Sequence, residues 1–526
     1  MRRELLPVEA LPAWARLNHV QFHDVAVQRL RTEDGTDKGS AVIVTAKRSA
    51  KEYSPEAEAS PEILMTIPPD LVLSLEAVET CAKSDRHLKE VLDAVGEYAR
   101  TARGAILIFL LVHITYADPN LSTEHIRVSN AWTEYIKFLP ASYPLPTFYT
   151  VEERELLHGT SLEPALDAKM ASLEKEFDHL REATVEMPWC NHEWWSEDTG
   201  RLSFEDWKLV DAMYRSRALE FPGVGHSMVP CVDMSNHAAG DETAALYETD
   251  KDGNAVLQLR WGKKLEVGDE VTITYGDEKG ASEMIFSYGF LESSMSTARQ
   301  LFLDLDIPTD DPLRPAKKAV CDDAPGFRLF TTATIPSPAN SQSSPVTGTE
   351  AIPTLPPVTE TDWEGSFVWW ICINEEDGLE FSVAQSTTGQ RELRVSWKEE
   401  DLDLSSGTQP LVDRLRQDPM WEVFQLRAVV SLQERIGSQL SRLRASDDYV
   451  LKWEEYVDAD DNGGEGKVIR RGVWDVVMRL RELEGKLLEG GYRDLEVKKL
   501  HLLDSASVKA YLGMQDPGAE IAEDFS

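Results

Sequence analysis

Between Met228 and Phe290 the chain sets hydrogen-bonding side chains inside segments that are otherwise apolar, a combination few folds accommodate. The stretch reads MVPCVDMSNH, a hairpin-like run ending in Leu257–Trp261, then KKLEVGDEVTITYG and SEMIFSYGF. Its polar members are Asp233, Asn236, His237, Tyr275 and Tyr288. A buried polar group is unfavourable unless it is hydrogen-bonded, so such a segment either satisfies a buried backbone or builds a site. Val271, Ile273 and Tyr275 alternate with Thr272 and Thr274, which predicts one strand carrying all three on a common face. Gly268-Asp269 turns the chain into that strand. Ala245–Tyr247 and Val256–Trp261 flank DKDG, a hairpin turn. Glu283–Ser287 predicts a short helix.

Upstream, Val42–Thr45 predicts a strand after the turn-forming Gly35 and Gly39. Ile63–Ile67, closed by Pro68-Pro69, predicts another, and Leu71–Leu73 offers an extension of it. The polar excursion KRSAKEYSPEAEASPE between them reads as a solvent loop. From about Ser74 to Arg217 apolar residues recur at three- and four-residue spacing, the mark of helices: Ala77 to Ala102, Gly104 to Tyr116, Glu163 to Val185 and Phe204 to Leu219. Thr150 with Glu153 forms a capping box that starts one more. Beyond residue 300, positions 333–361 are rich in Ser, Thr and Pro, the composition of a flexible insertion. Phe367–Ile373 (FVWWICI) predicts a buried strand, whereas Leu411 to Leu443 and Val473 to Leu488 predict helices. Asp458, Asp460, Asn462 and Gly463 imitate the first half of a calcium loop, but the twelfth position is Ile469 where a bidentate Glu is required, so an acidic surface loop is the reading.

At 526 residues the chain exceeds one ordinary core, and two to three domains are expected. Its 92 acidic against 54 basic residues, a net charge of −38, argue against a nucleic-acid binder, which needs a basic footprint. The same charge suits a cationic partner and, equally, a solvated acidic surface. Five scattered cysteines without a CxxC pair indicate a reduced intracellular chain with no disulfide framework and no metal site. Cys190 and His192 form an isolated CxH with no second ligand pair. Glu4 and Glu9 interrupt any apolar start, so no secretory signal is expected. The apolar run Ala105–Val112 falls far below the roughly 20 residues that span a bilayer.

VPCVDMSNH, followed by GDEVTITYG and SYGF, resembles the C-terminal half of a SET domain of the Rubisco-methyltransferase-like branch of protein-lysine methyltransferases. YRSRALEF resembles that branch's "SRAF" segment, and KGSAVIVTA and PEILMTIPPDLVLS its N-terminal half. FLPASYPLPTFYTVEE resembles the start of its helical insertion. The resemblance implies an α+β fold: a SET β-fold (1–75 and 214–295) split by a helical insertion (76–213) and followed by a mostly helical substrate-binding domain (296–526). It implies S-adenosyl-L-methionine as cofactor, held by Asn236, His237, Ser216, Arg217 and the backbone of Lys38, Gly39, Ser40 and Ala41. Here the branch's GxG appears as Gly39-Ser40-Ala41, one glycine short. It implies Tyr275 as the catalytic tyrosine, Tyr288 as a second channel tyrosine, and Arg217 and Asp233 lining the acceptor channel. The partner implied is a basic protein substrate such as a ribosomal protein or translation factor, met by a monomer in the cytoplasm or nucleus, with no nucleic acid and no membrane.

The chemistry suits those residue types. Methyl transfer from a sulfonium to an amine is an in-line displacement, and orientation alone supplies up to roughly 7–11 kcal/mol. A lysine must first lose a proton, and bringing its pKa of about 10.4 to neutrality represents roughly 4–5 kcal/mol. Tyrosine hydroxyls orient the amine without a negative charge that would retain the proton. Taken singly, Tyr275 reads as an ordinary strand aromatic, Tyr288 as core, Asn236-His237 as a capped turn and Arg217 as a partner of Glu220. Two rival readings stand beside the lysine enzyme: an inactive SET-derived scaffold, and a methyltransferase for another side chain such as histidine.

Overall fold

In the computed structural model the described residues are 1–526 except 2, 32–36, 53–60, 120–127, 333–359, 386–390, 406, 459–467 and 516–526. Two units are distinguished. The first comprises Met1–Phe148, Ala165–Asp277 and Phe286–Gly289; the second Tyr149–Pro164, Glu278–Ile285 and Phe290–Ser526.

The first unit is built on the helix Ala102–Ala117. Thr101 caps it, its Oγ1 accepting from the Gly104 N–H at 3.0 Å. Every residue from Gly104 to Ala117 is buried, as expected for a helix apolar all round. Gly104 is required where it stands: a Cβ there would lie 2.0 Å from the Tyr98 carbonyl oxygen. The helices Leu75–Ala82, Arg86–Val95 and Phe204–Arg217 pack on this rod. Beside them lie a hairpin, Val25–Arg31 with Asp37–Val44, and a four-stranded sheet in the order Gln21–Phe22, Glu62–Ile67, Ala255–Leu259, Ala245–Thr249.

Two β expectations are corrected here. Residues 271–275 alternate in burial as expected, with Val271 and Ile273 in the core, but they form no ladder strand. They make isolated contacts: Glu270 bridges Ile43, and Ile273 runs parallel to His237. The strand Glu62–Ile67 closes before Pro68 as expected, but Leu71–Leu73 does not extend it: Pro69–Leu71 is a 3₁₀ turn, and Leu73 bridges Met228 alone. Proline removes the donor a continuing ladder needs.

The second unit combines sheets with long helices. Gln300–Asp304, Gly326–Thr332 and Glu360–Glu364 form one three-stranded sheet, and Leu379–Gln385, Arg391–Trp397 and Glu400–Leu402 another. Trp421–Ala445 and Arg471–Leu503 pack along each other. The expected strand at Phe367–Ile373 is instead a helix, Phe367–Cys372, with Phe367, Val368, Trp369 and Trp370 all buried. Six apolar residues carry too little periodicity to separate a buried helix from a strand. Of the expected insertion 333–361, residues 333–359 lie outside the described residues, and Glu360 and Thr361 belong to a paired strand. The calcium-like loop apart from Asp458, Gly35, and residues 53–60 of the polar excursion also fall outside them, whereas Arg48–Ser49 of that expected loop pairs with Lys264–Leu265. No helix among the described residues is long and apolar enough to cross a membrane.

Candidate active site

A strained turn begins the site. Cys231 is fully buried and holds φ at +70°, a conformation that side chains other than glycine's rarely adopt. Its N–H donates to the Tyr135 hydroxyl at 2.8 Å, and that hydroxyl donates to Asp233 Oδ1 at 2.5 Å. One phenol, delivered by the short helix Ala131–Tyr135, thus closes the turn. Asp233 follows in the 3₁₀ turn Val232–Met234, buried, and desolvation pushes its carboxyl above the usual range against the pull of Arg217. Arg217, the last residue of its helix, donates from Nη1 to the Asp233 carbonyl at 2.6 Å, and the same nitrogen lies 3.7 Å from Oδ2. Arg3 completes the wall by donating to the carbonyls of Ile136 at 2.7 Å, Leu139 at 3.1 Å and Pro140.

Tyr275 stands against this wall. Its hydroxyl donates to the Ser235 carbonyl at 2.8 Å, and its N–H donates to His237 Nδ1 at 3.0 Å. The His237 and Tyr275 rings stack with centroids 5.2 Å apart, and the Tyr288 ring tilts over Tyr275 at 4.6 Å. The Tyr288 hydroxyl reaches the Tyr275 carbonyl at 3.5 Å. Burial pushes the Tyr275 phenol up, so it remains a neutral donor. After Tyr288 the chain turns at Gly289, with φ at +80° and room for no Cβ: one would lie 2.5 Å from the Pro144 carbonyl oxygen.

The backbone behind these side chains is layered. Ile273 donates to the Asn236 carbonyl at 2.9 Å and Ala238 to that of Ile273 at 3.0 Å. On the other flank Val271 donates to the Val42 carbonyl at 2.8 Å. The strand Asp37–Val44, with Gly39-Ser40-Ala41, therefore adjoins the segment that adjoins Asn236. Gly39 holds φ at +86° and faces open space, with nothing within 4 Å of an added Cβ. Ala41, where the second glycine is missing, is fully buried. Asn236 is engaged by Nδ2 with Glu270 Oε1 at 2.6 Å.

The structure thus brings Arg217, Asp233, His237, Tyr275 and Tyr288 into one linked group, with Asn236 and residues 39–41 on adjoining backbone. The backbone of Lys38 is in the strand; its side chain lies outside the described residues. Ser216 is turned away, its hydroxyl donating to the Ala212 carbonyl of its own helix at 2.7 Å. Three atoms in and beside the group are buried without a hydrogen bond, Arg217 Nε, Asp233 Oδ2 and Ser235 Oγ, of which Asp233 Oδ2 faces the Arg217 guanidinium. Tyr135 and Arg3 escape sequence reasoning because no local pattern distinguishes them. Among the described residues no group of three or more His, Cys, Asp or Glu is placed to hold a metal ion.

No family model matches the chain. It is 29% identical over 311 residues to SET domain-containing protein 8 of Schizosaccharomyces pombe, covering 59% of this chain and 62% of that protein. It is 20% identical over 353 residues to the actin-histidine N-methyltransferase of Gallus gallus, covering 64% of this chain and 52% of that protein. The chain therefore spans less than two thirds of the curated relatives it matches. Among solved structures, the SET domain of LSMT bound to MeLysine and AdoHcy superposes with a TM-score of 0.58 at 16% identity, over 98% of both chains. The fold is the SET fold of the Rubisco-methyltransferase type, as the sequence resemblance implies.

Proposed function

We propose that this chain is an S-adenosyl-L-methionine-dependent protein-lysine N-methyltransferase acting on a non-histone protein. One observation carries the proposal: Tyr275 is held neutral, its hydroxyl fixed on the Ser235 carbonyl and its ring between His237 and Tyr288. The residues fit the cofactor, since buried Ser235 Oγ, next in sequence to Asn236, makes no hydrogen bond, and nothing lies within 4 Å of a Cβ built on Gly39. Asn236, His237, Arg217 and the backbone of 38–41 would hold it. When bound, S-adenosyl-L-methionine supplies the methyl group and a cationic leaving group.

The chain's own residues prepare the acceptor. The Tyr275 hydroxyl donates its hydrogen bond to the Ser235 carbonyl, so its oxygen meets the acceptor with lone pairs. It therefore accepts an N–H from the incoming amine and leaves the nitrogen lone pair free for the methyl carbon. Tyr288 restricts the approach from the other side of the Tyr275 ring. Arg217 sits in the same wall, and its positive charge disfavours an ammonium nearby, favouring the neutral amine.

The full chain incubated with radiolabelled S-adenosyl-L-methionine and acid-extracted basic protein is expected to transfer label, and Tyr275→Phe to lower the rate at least 100-fold, about 2.7 kcal/mol of barrier. Undiminished transfer in that variant removes Tyr275 from its role. Peptide mass spectrometry then places the methyl group: on lysine it supports the proposal, on histidine it replaces lysine by the acceptor named for the Gallus gallus relative. Absence of S-adenosyl-L-methionine binding by calorimetry favours the scaffold reading. The proposal extends to a ribosomal protein or translation factor as substrate, because a net charge of −38 suits a basic target. It extends also to a monomer in the cytoplasm and nucleus, with the domain limits set out from the sequence.

A further inference from the structure

Arg215 lies two residues before Arg217 on the same helix, and its side chain takes no part in the group just described. It is buried. Beneath it, at 3.3 Å, is the carboxylate of Asp211, which is fully buried and also takes Arg103 and Lys169, each at 2.7 Å. Burial disfavours the Asp211 charge, but Arg215, Lys169 and Arg103 together hold the carboxyl below its usual range. The guanidinium is a fork: Nη1 donates to the Phe286 carbonyl at 2.8 Å, and Nη2, the nitrogen that faces Asp211, donates to Thr147 Oγ1 at 3.1 Å. The guanidinium also lies 4.6 Å from the centroid of the Phe286 ring.

Phe286 is in the last turn of the helix Ala281–Tyr288, where carbonyls lack intrahelical donors and a cation is favoured. Two residues later comes Tyr288, and then Gly289, wedged against the Pro144 carbonyl. The short run that carries Tyr288 is therefore fixed at two points. Arg215 holds one through Phe286, and the connector Pro144–Thr147 supplies both the Gly289 contact and the second tooth of the fork. A lysine at 215 could not reproduce this, because an ammonium is a point charge without the planar two-pronged geometry.

We infer that Arg215 is a positioning residue which, through Phe286, sets the Tyr288 ring against Tyr275 and so fixes the width of the acceptor's path. The inference rests on the proposed function for its consequence, not for its geometry. The test uses the full chain labelled with 3-fluorotyrosine, the Tyr288 resonance being assigned by its loss in Tyr288→Phe. In Arg215→Lys, which keeps a charge on Asp211 and loses the fork, that resonance is expected to shift or broaden. Label transfer to acid-extracted basic protein is expected to fall 10-fold or more, while the Kd for S-adenosyl-L-methionine by calorimetry stays within twofold. Arg215→Gln is read in the same way where the lysine variant does not fold. A Tyr288 resonance that stays in place in a folded variant overturns the inference, whatever happens to Tm. A wild-type chain that binds no cofactor overturns the proposed function instead, and the fluorine signal still decides the role of Arg215.

Discussion

Replacing Tyr135 by Phe removes one hydroxyl that serves two partners, the Cys231 N–H and Asp233 Oδ1. Both would be left buried, at about 1–3 kcal/mol each for an unsatisfied group. Urea unfolding of Tyr135→Phe is expected to show a loss of roughly 2–4 kcal/mol, exceeding that of an ordinary buried phenol truncation. The glycines offer a graded comparison. Gly39→Ala meets only the conformational penalty of its positive φ, about 1 kcal/mol, because the space around it is open. Gly289→Ala meets that penalty and a 2.5 Å contact with a backbone oxygen that has no side chain to swing aside. It is expected to be the more destabilising by at least about 1 kcal/mol in the same measurement. The two also mark where sequence reading reaches. That Tyr275 shares a side with Val271 and Ile273 follows from a two-residue alternation, a local property. That Tyr135 meets Asp233 joins residues 98 positions apart in the chain, and nothing local records it.

At the scale of elements, the capping box at Thr150 was legible because its signal is complete within four residues. Thr150 Oγ1 accepts from the Glu153 N–H at 3.2 Å, and Glu153 Oε2 from the Thr150 N–H at 3.0 Å. Thr150→Ala is expected to lower stability by about 1 kcal/mol in thermal or urea unfolding. FVWWIC failed for the complementary reason. Its composition is that of a strand, but its neighbours decide otherwise: Trp370 donates to Thr408 at 3.0 Å and Trp369 lies 4.8 Å from Trp421, contacts made from a helix. Asp211 binds three helices together by charge, Ala102–Ala117 through Arg103, Leu162–Thr184 through Lys169 and its own through Arg215. Asp211→Asn would leave three buried or half-buried cations around a neutral amide, with an expected loss of roughly 3–5 kcal/mol by denaturant unfolding.

For the molecule as a whole, the α+β class was legible from the change in hydrophobic period along the chain. The sheets of the second unit were not, since only strands that alternate cleanly announce themselves. That unit also carries a pH response. Glu484 is fully buried against Ser161 and near Arg481, and burial pushes its carboxyl from 4.5 up to about 7. A raised acid pKa means the folded state binds the extra proton between those values, so stability falls as pH rises through that window and is level above it. The stability difference between Glu484→Gln and the wild type is therefore expected to grow in the variant's favour from pH 4.5 to 7. It then levels off, at most on the order of 3 kcal/mol, in urea titrations across pH. A last consequence concerns the strand Asp37–Val44, whose Val42 carbonyl waits for Val271. On a ribosome adding about 5–20 residues per second, some 10–45 s separate the two residues' emergence. The hairpin with Val25–Arg31 forms at once, but its outer edge stays open for that interval, an invitation to pair with another chain. A shielding chaperone during synthesis is the natural remedy, and yields of soluble protein should depend on translation speed more steeply than the folded molecule's stability would suggest.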